Sequence, residues 1–123
     1  METALALLAL LSATFDTFPT PLEAAIEHVE SRGDTFAQAG SHRGLWQVKA
    51  QFASPVVREI PALLHVPLVG RVEGRRMLAY WQRRCKGDMA CALRGYRCGN
   101  KGLHGKCGHK YASAILRYAK SGL

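Results

Sequence analysis

The sequence predicts a mainly α, single-domain protein, and three observations carry that prediction. Helix start and stop signals recur along the chain, the apolar residues between them follow helical spacing, and no stretch alternates apolar and polar residues as a half-buried strand does. A chain of 123 residues, 48% hydrophobic and 21% charged, suits one domain with its own core and excludes a disordered polymer. No internal repeat or low-complexity tract divides it.

The chain opens with METALALLALLSATFDTFPT, whose apolar run Ala4 to Leu11 is too short to span a bilayer. It reads either as an apolar first helix over residues 1–19 or as a signal segment with Ser12-Ala13 as small cleavage residues. Glu2, standing where a signal peptide carries positive charge, favours the helix. Thr20-Pro21-Leu22-Glu23 is a strong helix start, with Thr as N-cap, Pro in the first turn and Glu three residues after the cap. Leu22, Ala25, Ile26 and Val29 then share one face, and Gly33 supplies the stop.

Residues 35–53 are turn-rich, so a small irregular or β-like region is expected near residues 35–50. Gly40 and Gly44 bracket a loop before Leu45-Trp46-Gln47-Val48 returns to the core. Ser54-Pro55 opens another short helix, and Pro61 and Pro67 interrupt the chain beyond it. From Glu73 to Arg84 the pattern is helical, with Met77, Leu78 and Trp81 inward. Lys86-Gly87-Asp88 is a turn with Asp88 as N-cap of a helix through Ala92 and Leu93. Gly99 to Gly108 reads as a glycine-rich loop, and Lys110 to Lys120 as a last helix with Ala112, Ile115, Leu116 and Ala119 on one face.

Charge is unevenly spread. Residues 1–70 hold four Lys/Arg against seven Asp/Glu, whereas residues 71–123 hold thirteen against two. The basic half should attract a polyanion: nucleic acid, an acidic envelope polymer or an anionic membrane surface. All four cysteines lie in that half, at 85, 91, 98 and 107. An even count in a small basic chain suggests disulfides if the protein works outside the cytosol, with three connectivities open, and four free buried thiols are the plainer alternative. Neighbour pairing would close two short loops worth ~2–3 kcal/mol each. A zinc set of Cys98, His104, Cys107 and His109 lacks the close cysteine pair of a structural site. No metal and no cofactor are therefore expected.

The residue that asks for a chemical explanation is Glu30. It falls where the first helix runs out, at the end of the dipole that disfavours negative charge. At 100° per residue it lies on the border of the apolar stripe, which allows half-burial. Glu27 points away from the stripe and is expected to be solvated, and Glu23 is explained by capping. Half-burial and a helix C-terminus both push a carboxyl pKa up, which suits a general acid. The plainer reading is a rim glutamate paired with Arg32 or Arg43.

Further motifs come after Glu30-Ser31 in order: Gly44-Leu45-Trp46-Gln47, then Glu73-Gly74-Arg75-Arg76-Met77-Leu78, then Ala92-Leu93-Arg94-Gly95-Tyr96-Arg97-Cys98-Gly99, and Tyr111-Ala112 opening the final helix. Over roughly residues 20–120 this ordered set resembles the lytic transglycosylases of the soluble, goose-lysozyme-like group within the lysozyme-like superfamily. The pattern there is Glu-Ser, Gly-Leu-Met-Gln, Gly-Ala-x-Tyr-Leu, Ala-Leu-x-x-Tyr-Asn-x-Gly and Tyr-Ala. Trp46 stands for the commoner Met, and Arg97 for the Asn of the Tyr-Asn pair, which alters how the substrate would be held there. Residues 1–19 and 54–71 find no counterpart.

The resemblance implies a lysozyme-like fold acting on peptidoglycan glycan strands between N-acetylmuramic acid and N-acetylglucosamine. Glu30 would be the single catalytic acid and base, oriented by Ser31. Gly44, Gln47, Tyr96, Arg97 and Tyr111 would contact substrate. The usual glycosidase plan needs a second carboxylate, and none stands out. Asp34 is nearest in sequence, while Glu59, Glu73 and Asp88 read as surface, helix-start and cap residues. His28, His42 and His65 read as surface or loop positions. The compact chain resembles a phage endolysin or virion-associated wall enzyme, or equally a secretion-system accessory that opens the wall. The expected place of action is the bacterial wall, outside the cytoplasm. The competing expectations are a hydrolytic muramidase of the same fold, an inactive wall-binding relative, and a basic nucleic-acid-binding module. The last lacks helix-turn-helix or zinc-finger spacing and aromatics interleaved with its basic residues, so no specific nucleic acid is expected.

Overall fold

The structure, a computed structural model, describes residues 19–122; the apolar run at the N-terminus lies outside them. Those residues are mainly helical with one small antiparallel sheet. They gather into two compact units, one of residues 30–74 and one of residues 19–29 and 75–122. No helix among the described residues is long and apolar enough to cross a membrane.

Helix α1 spans Pro21–Ser31. The reciprocal cap that its sequence predicts is formed: the Thr20 N–H donates to Glu23 Oε1 at 2.9 Å, and the Glu23 N–H to Thr20 Oγ1 at 3.2 Å. Glu23 also receives Arg75 Nε at 2.6 Å and Arg75 Nη2 at 3.1 Å. Burial alone would raise the Glu23 carboxyl, but hydrogen bonds from Arg75 and Thr20, with the Arg75 charge, hold it below its ordinary 4.5.

The buried sector of α1 differs from the expected stripe. Ala25 and Ile26 are sealed, yet Val29 is exposed, while Glu27, expected in solvent, is only 7% exposed and Ser31 only 8%. Glu23, Glu27 and Ser31 are spaced four apart, so they share one flank of the helix, and that flank is covered too. Apolar periodicity alone cannot report such a face, because its residues are polar.

In the unit of residues 30–74, the chain then forms three two-residue strands: β1 Gln38–Ala39, β2 His42–Arg43 and β3 Val48–Lys49, in that order. Gln38 faces Arg43 and Ala39 faces His42; His42 also faces Lys49 and Arg43 faces Val48. Leu45, Trp46 and Val48 return to the core as expected, with Trp46 fully buried. A 3-10 turn, Ala50–Phe52, leads to the short helix α2, Pro55–Glu59, and a second 3-10 turn, Pro61–His65, to α3, Pro67–Arg84.

Helix α3 therefore starts at Pro67, six residues before the expected Glu73. Proline suits a first helical turn, and the glycines that weaken the helical pattern are required by packing. A Cβ at Gly70 would sit 3.2 Å from the Leu64 carbonyl oxygen, and one at Gly74 would collide with the Trp46 indole. Glu73, expected at a helix start, lies inside α3 and is 1% exposed. Its two carboxylate oxygens accept the Ser54 N–H at 3.0 and 3.3 Å, at the residue that caps α2. Accepting the N–H of the N-cap residue is the task of the glutamate in a capping box, taken here by a residue of another helix, while the buried Ser54 hydroxyl caps nothing.

The other unit holds α4 Met89–Cys98, α5 Asn100–His104 and α6 His109–Ser121, with α4 packed against both of the others. Asp88 is the expected N-cap, accepting the Cys91 N–H at 3.1 Å. Helix α5 occupies the stretch whose glycines suggest a loop. It forms because a bare Gly102 lets its backbone press on the Arg94 carbonyl, where a Cβ would clash, and Arg94 Nε donates to the Gly102 carbonyl at 3.0 Å. In α6, Ala112 and Ile115 are buried whereas Leu116 is exposed. Both disulfides join sequence neighbours, Cys85 to Cys91 and Cys98 to Cys107, which resolves the connectivity and removes the thiolates of the zinc alternative.

Candidate active site

Glu30 is half-buried, one residue from the end of α1. The chain leaves it through a built turn. Arg32 and Gly33 take positive φ values of 54° and 78°, which ends the helix. The Ser31 carbonyl accepts the Asp34 N–H at 3.0 Å, and Ser31 Oγ accepts the Gly33 N–H at 3.2 Å. The Ser31 hydroxyl thus fixes the direction of the backbone beyond Glu30. Asp34 is exposed and closes the next turn, its Oδ1 accepting the Phe36 N–H at 2.9 Å.

Gly44 and Gln47 organise the loop beyond. Gly44 has φ of 80°, and a Cβ on it would clash with the Leu64 carbonyl, so both conformation and space require glycine. Its N–H donates to the Ala37 carbonyl at 2.9 Å, and its own carbonyl accepts the Gln47 N–H at 3.1 Å. Gln47 Nε2 donates to the carbonyls of Ala37, at 3.1 Å, and Gly44, at 2.9 Å. The Gln47 amide nitrogen is thus engaged by two backbone carbonyls of its own loop. Gln47 itself has φ of 51°, an unfavourable conformation for a side-chain-bearing residue that these bonds impose.

Two histidines expected only as surface or loop residues pin the same region. His42 Nδ1 donates to the Gln47 carbonyl at 2.9 Å, and His65 Nδ1 to the Thr35 carbonyl at 3.0 Å. Phe36, 77% exposed, stacks on the His65 ring with centroids 6.1 Å apart. Among the acids of this unit, Glu73 is engaged with Ser54 and Glu59 is exposed at the end of α2.

Of the expected site residues, Glu30, Ser31, Gly44 and Gln47 belong to the unit of residues 30–74, and Tyr96, Arg97 and Tyr111 to the other. Tyr96 and Tyr111 are half-buried, and the Arg97 guanidinium lies 5.5 Å from the centroid of the Tyr111 ring. Arg97 and Tyr111 line a cavity of about 760 Å³ with Lys106, His109, Lys110, Gly108 and the Cys98–Cys107 bridge. Sequence reasoning did not assign Lys106 or Lys110. The available signal was that no Asp or Glu occurs after residue 88. No group of His, Cys, Asp and Glu among the described residues is arranged to hold a metal ion. No family model, curated protein or solved structure matches this chain.

Proposed function

We propose that the protein is a peptidoglycan lytic transglycosylase that uses Glu30 as its only catalytic carboxyl group. The observation that carries this reading is a half-buried glutamate at the C-terminal turn of α1, next to a turn held by Ser31 and Asp34. The Gly44-to-Gln47 loop lies in the same unit and is braced by its own hydrogen bonds. A half-buried carboxyl group at a helix end is a suitable position for a general acid.

In this reaction Glu30 protonates the glycosidic oxygen as the bond from the muramyl anomeric carbon breaks. The resulting carboxylate takes the proton of the muramyl 6-hydroxyl, whose oxygen closes a ring on the same carbon. Glu30 ends as it began, no water is consumed, and the glycan carries a 1,6-anhydro end. A hydrolytic enzyme of the same plan would use a second carboxylate to activate water or to attack. The engagement of Glu73 with Ser54, and of Asp34 with its own turn, supports the single-acid version. Disulfide pairing supports action outside the cytoplasm, and the excess of Lys/Arg in residues 71–123 suits an anionic envelope surface. Delivery within a phage virion, release as an endolysin and recruitment by a secretion assembly all suit this chemistry.

The test is Glu30→Gln, an isosteric change that leaves circular dichroism unchanged and lowers release of soluble fragments from purified walls at least 100-fold. Undiminished release would overturn the proposal. Mass spectrometry of fragments from the wild-type chain distinguishes the mechanisms, because anhydro ends are lighter than hydrolysed ends by one water.

A further inference from the structure

The large apolar side chain most exposed among the described residues is Phe36, at 77%. Water disfavours a phenyl ring, yet the backbone around this one is fixed on both sides. The Phe36 N–H donates to Asp34 Oδ1 at 2.9 Å. The Thr35 carbonyl before it accepts His65 Nδ1 at 3.0 Å, and the Ala37 N–H after it donates to the Asp34 carbonyl at 3.1 Å. The His65 imidazole backs the ring itself, inclined at 22° with centroids 6.1 Å apart. A braced turn therefore holds the ring out. Two consecutive turns, Ser31 to Asp34 and Asp34 to Ala37, join it to the end of α1 and keep Ser31 within about 14 Å of Ala37. The Ala37 carbonyl then accepts both the Gly44 N–H and Gln47 Nε2. Phe36 thus stands in the stretch that ties the Glu30 turn to the Gly44-to-Gln47 loop. Trp46, the aromatic residue of that loop, is 0% exposed and offers no face to a ligand.

We propose that Phe36, backed by His65, is a stacking platform for one pyranose ring of the glycan strand. The choice of a glycan rests on the wall-cleaving reading above. The face of an aromatic ring is negative and attracts positively polarised hydrogens. A β-1,4-linked 2-acetamido-glucopyranose carries its substituents equatorially, so each of its faces presents axial C–H groups and no hydroxyl. Such a sugar covers the phenyl ring while its hydroxyls stay at the rim, free to keep their hydrogen bonds. Because the glycan is a polymer, one sugar rests on Phe36 while a bond farther along the strand meets Glu30, and the stacked sugar helps to fix the register. Nucleic-acid bases also stack on aromatic rings, but they bring phosphates that need a basic groove. Residues 30–74 hold five Lys/Arg against four Asp/Glu, a nearly balanced charge that suits a neutral sugar.

The experiment titrates the oxidised full chain with the hexasaccharide of N-acetylglucosamine by calorimetry. Phe36→Ala is expected to weaken binding about fivefold or more, with an unchanged urea midpoint, because the ring it removes is exposed. Phe36→Leu, apolar but without a ring, should lose as much, whereas Phe36→Trp should bind within about twofold of wild type. Phe52→Ala removes another exposed ring of the same unit, 59% exposed, and should leave binding unchanged. Wild-type affinity in Phe36→Ala or Phe36→Leu, an equal loss in Phe52→Ala, or no binding by the wild-type chain overturns the platform. Equal or tighter binding of single-stranded DNA overturns the sugar class. Cleavage is read separately on purified walls, where Glu30→Gln should stop release while keeping its affinity for the hexasaccharide. A wild-type chain that binds through Phe36 but cuts no wall refutes the catalytic reading alone. One that cuts walls and binds equally well without the Phe36 ring refutes the platform alone.

Discussion

Glu73 carries a carboxylate into a position 1% exposed, where its oxygens meet the backbone N–H of Ser54. Removing a charged partner from a buried hydrogen bond leaves the desolvated donor unsatisfied. Glu73→Ala is therefore expected to lose about 2–4 kcal/mol in urea unfolding. Glu73→Gln, which keeps an acceptor oxygen, should lose less than half as much. At Gly74 the constraint is volume: a methyl would enter the Trp46 indole. Gly74→Ala should cost about 1–3 kcal/mol by overpacking, even though alanine favours the helix. Neither position was legible in the sequence, for the same reason. Glutamate and glycine contribute nothing to an apolar periodicity, and their roles depend on Ser54 and Trp46, nineteen or more residues away. The place of Glu30, half-buried at the end of α1, was legible because the signals that bound that helix are local: the cap at Thr20 and the stop at Gly33.

Elements whose boundaries rest on neighbouring residues were readable, and those that rest on distant packing were not. The caps at Thr20 and Asp88 form within three residues of themselves, so spacing alone revealed them. Three strands of two residues each are too short to show an alternating pattern, and the sequence indicated only an irregular region there. Helix α5 was hidden by glycines that serve close approach. Asp88→Ala should lower stability by about 1 kcal/mol through the lost cap of α4. The cap of α1 has a pH signature, because the Glu23 carboxyl is held below 4.5 by Arg75 and Thr20. Its contribution is fully present above that value and is lost as pH falls through the lower folded-state value. Thermal unfolding of wild type and Arg75→Ala should therefore differ most near neutral pH and converge toward strong acid.

Across the chain, charge and covalent constraint coincide. Both disulfides lie in the basic half and each closes a loop of fewer than a dozen residues. On the chain-entropy model each stabilises by about 2–3 kcal/mol. Reduction should lower the melting temperature measurably, and wall binding should weaken as salt screens the basic surface. Composition made the charge asymmetry plain, but it took the neighbour pairing of Cys98 and Cys107 to draw Arg97 and Lys106 to one cavity.

The two tryptophans also give each unit its own optical reporter. Trp46, 0% exposed against Gly74, belongs to the unit of residues 30–74, and the half-buried Trp81, against Gly95 and Arg84, belongs to the other. Acrylamide should quench the emission of Trp81 first and leave a blue-shifted remainder from Trp46. With Trp81→Phe, loss of that remainder during denaturation times the opening of the Glu30 unit by itself.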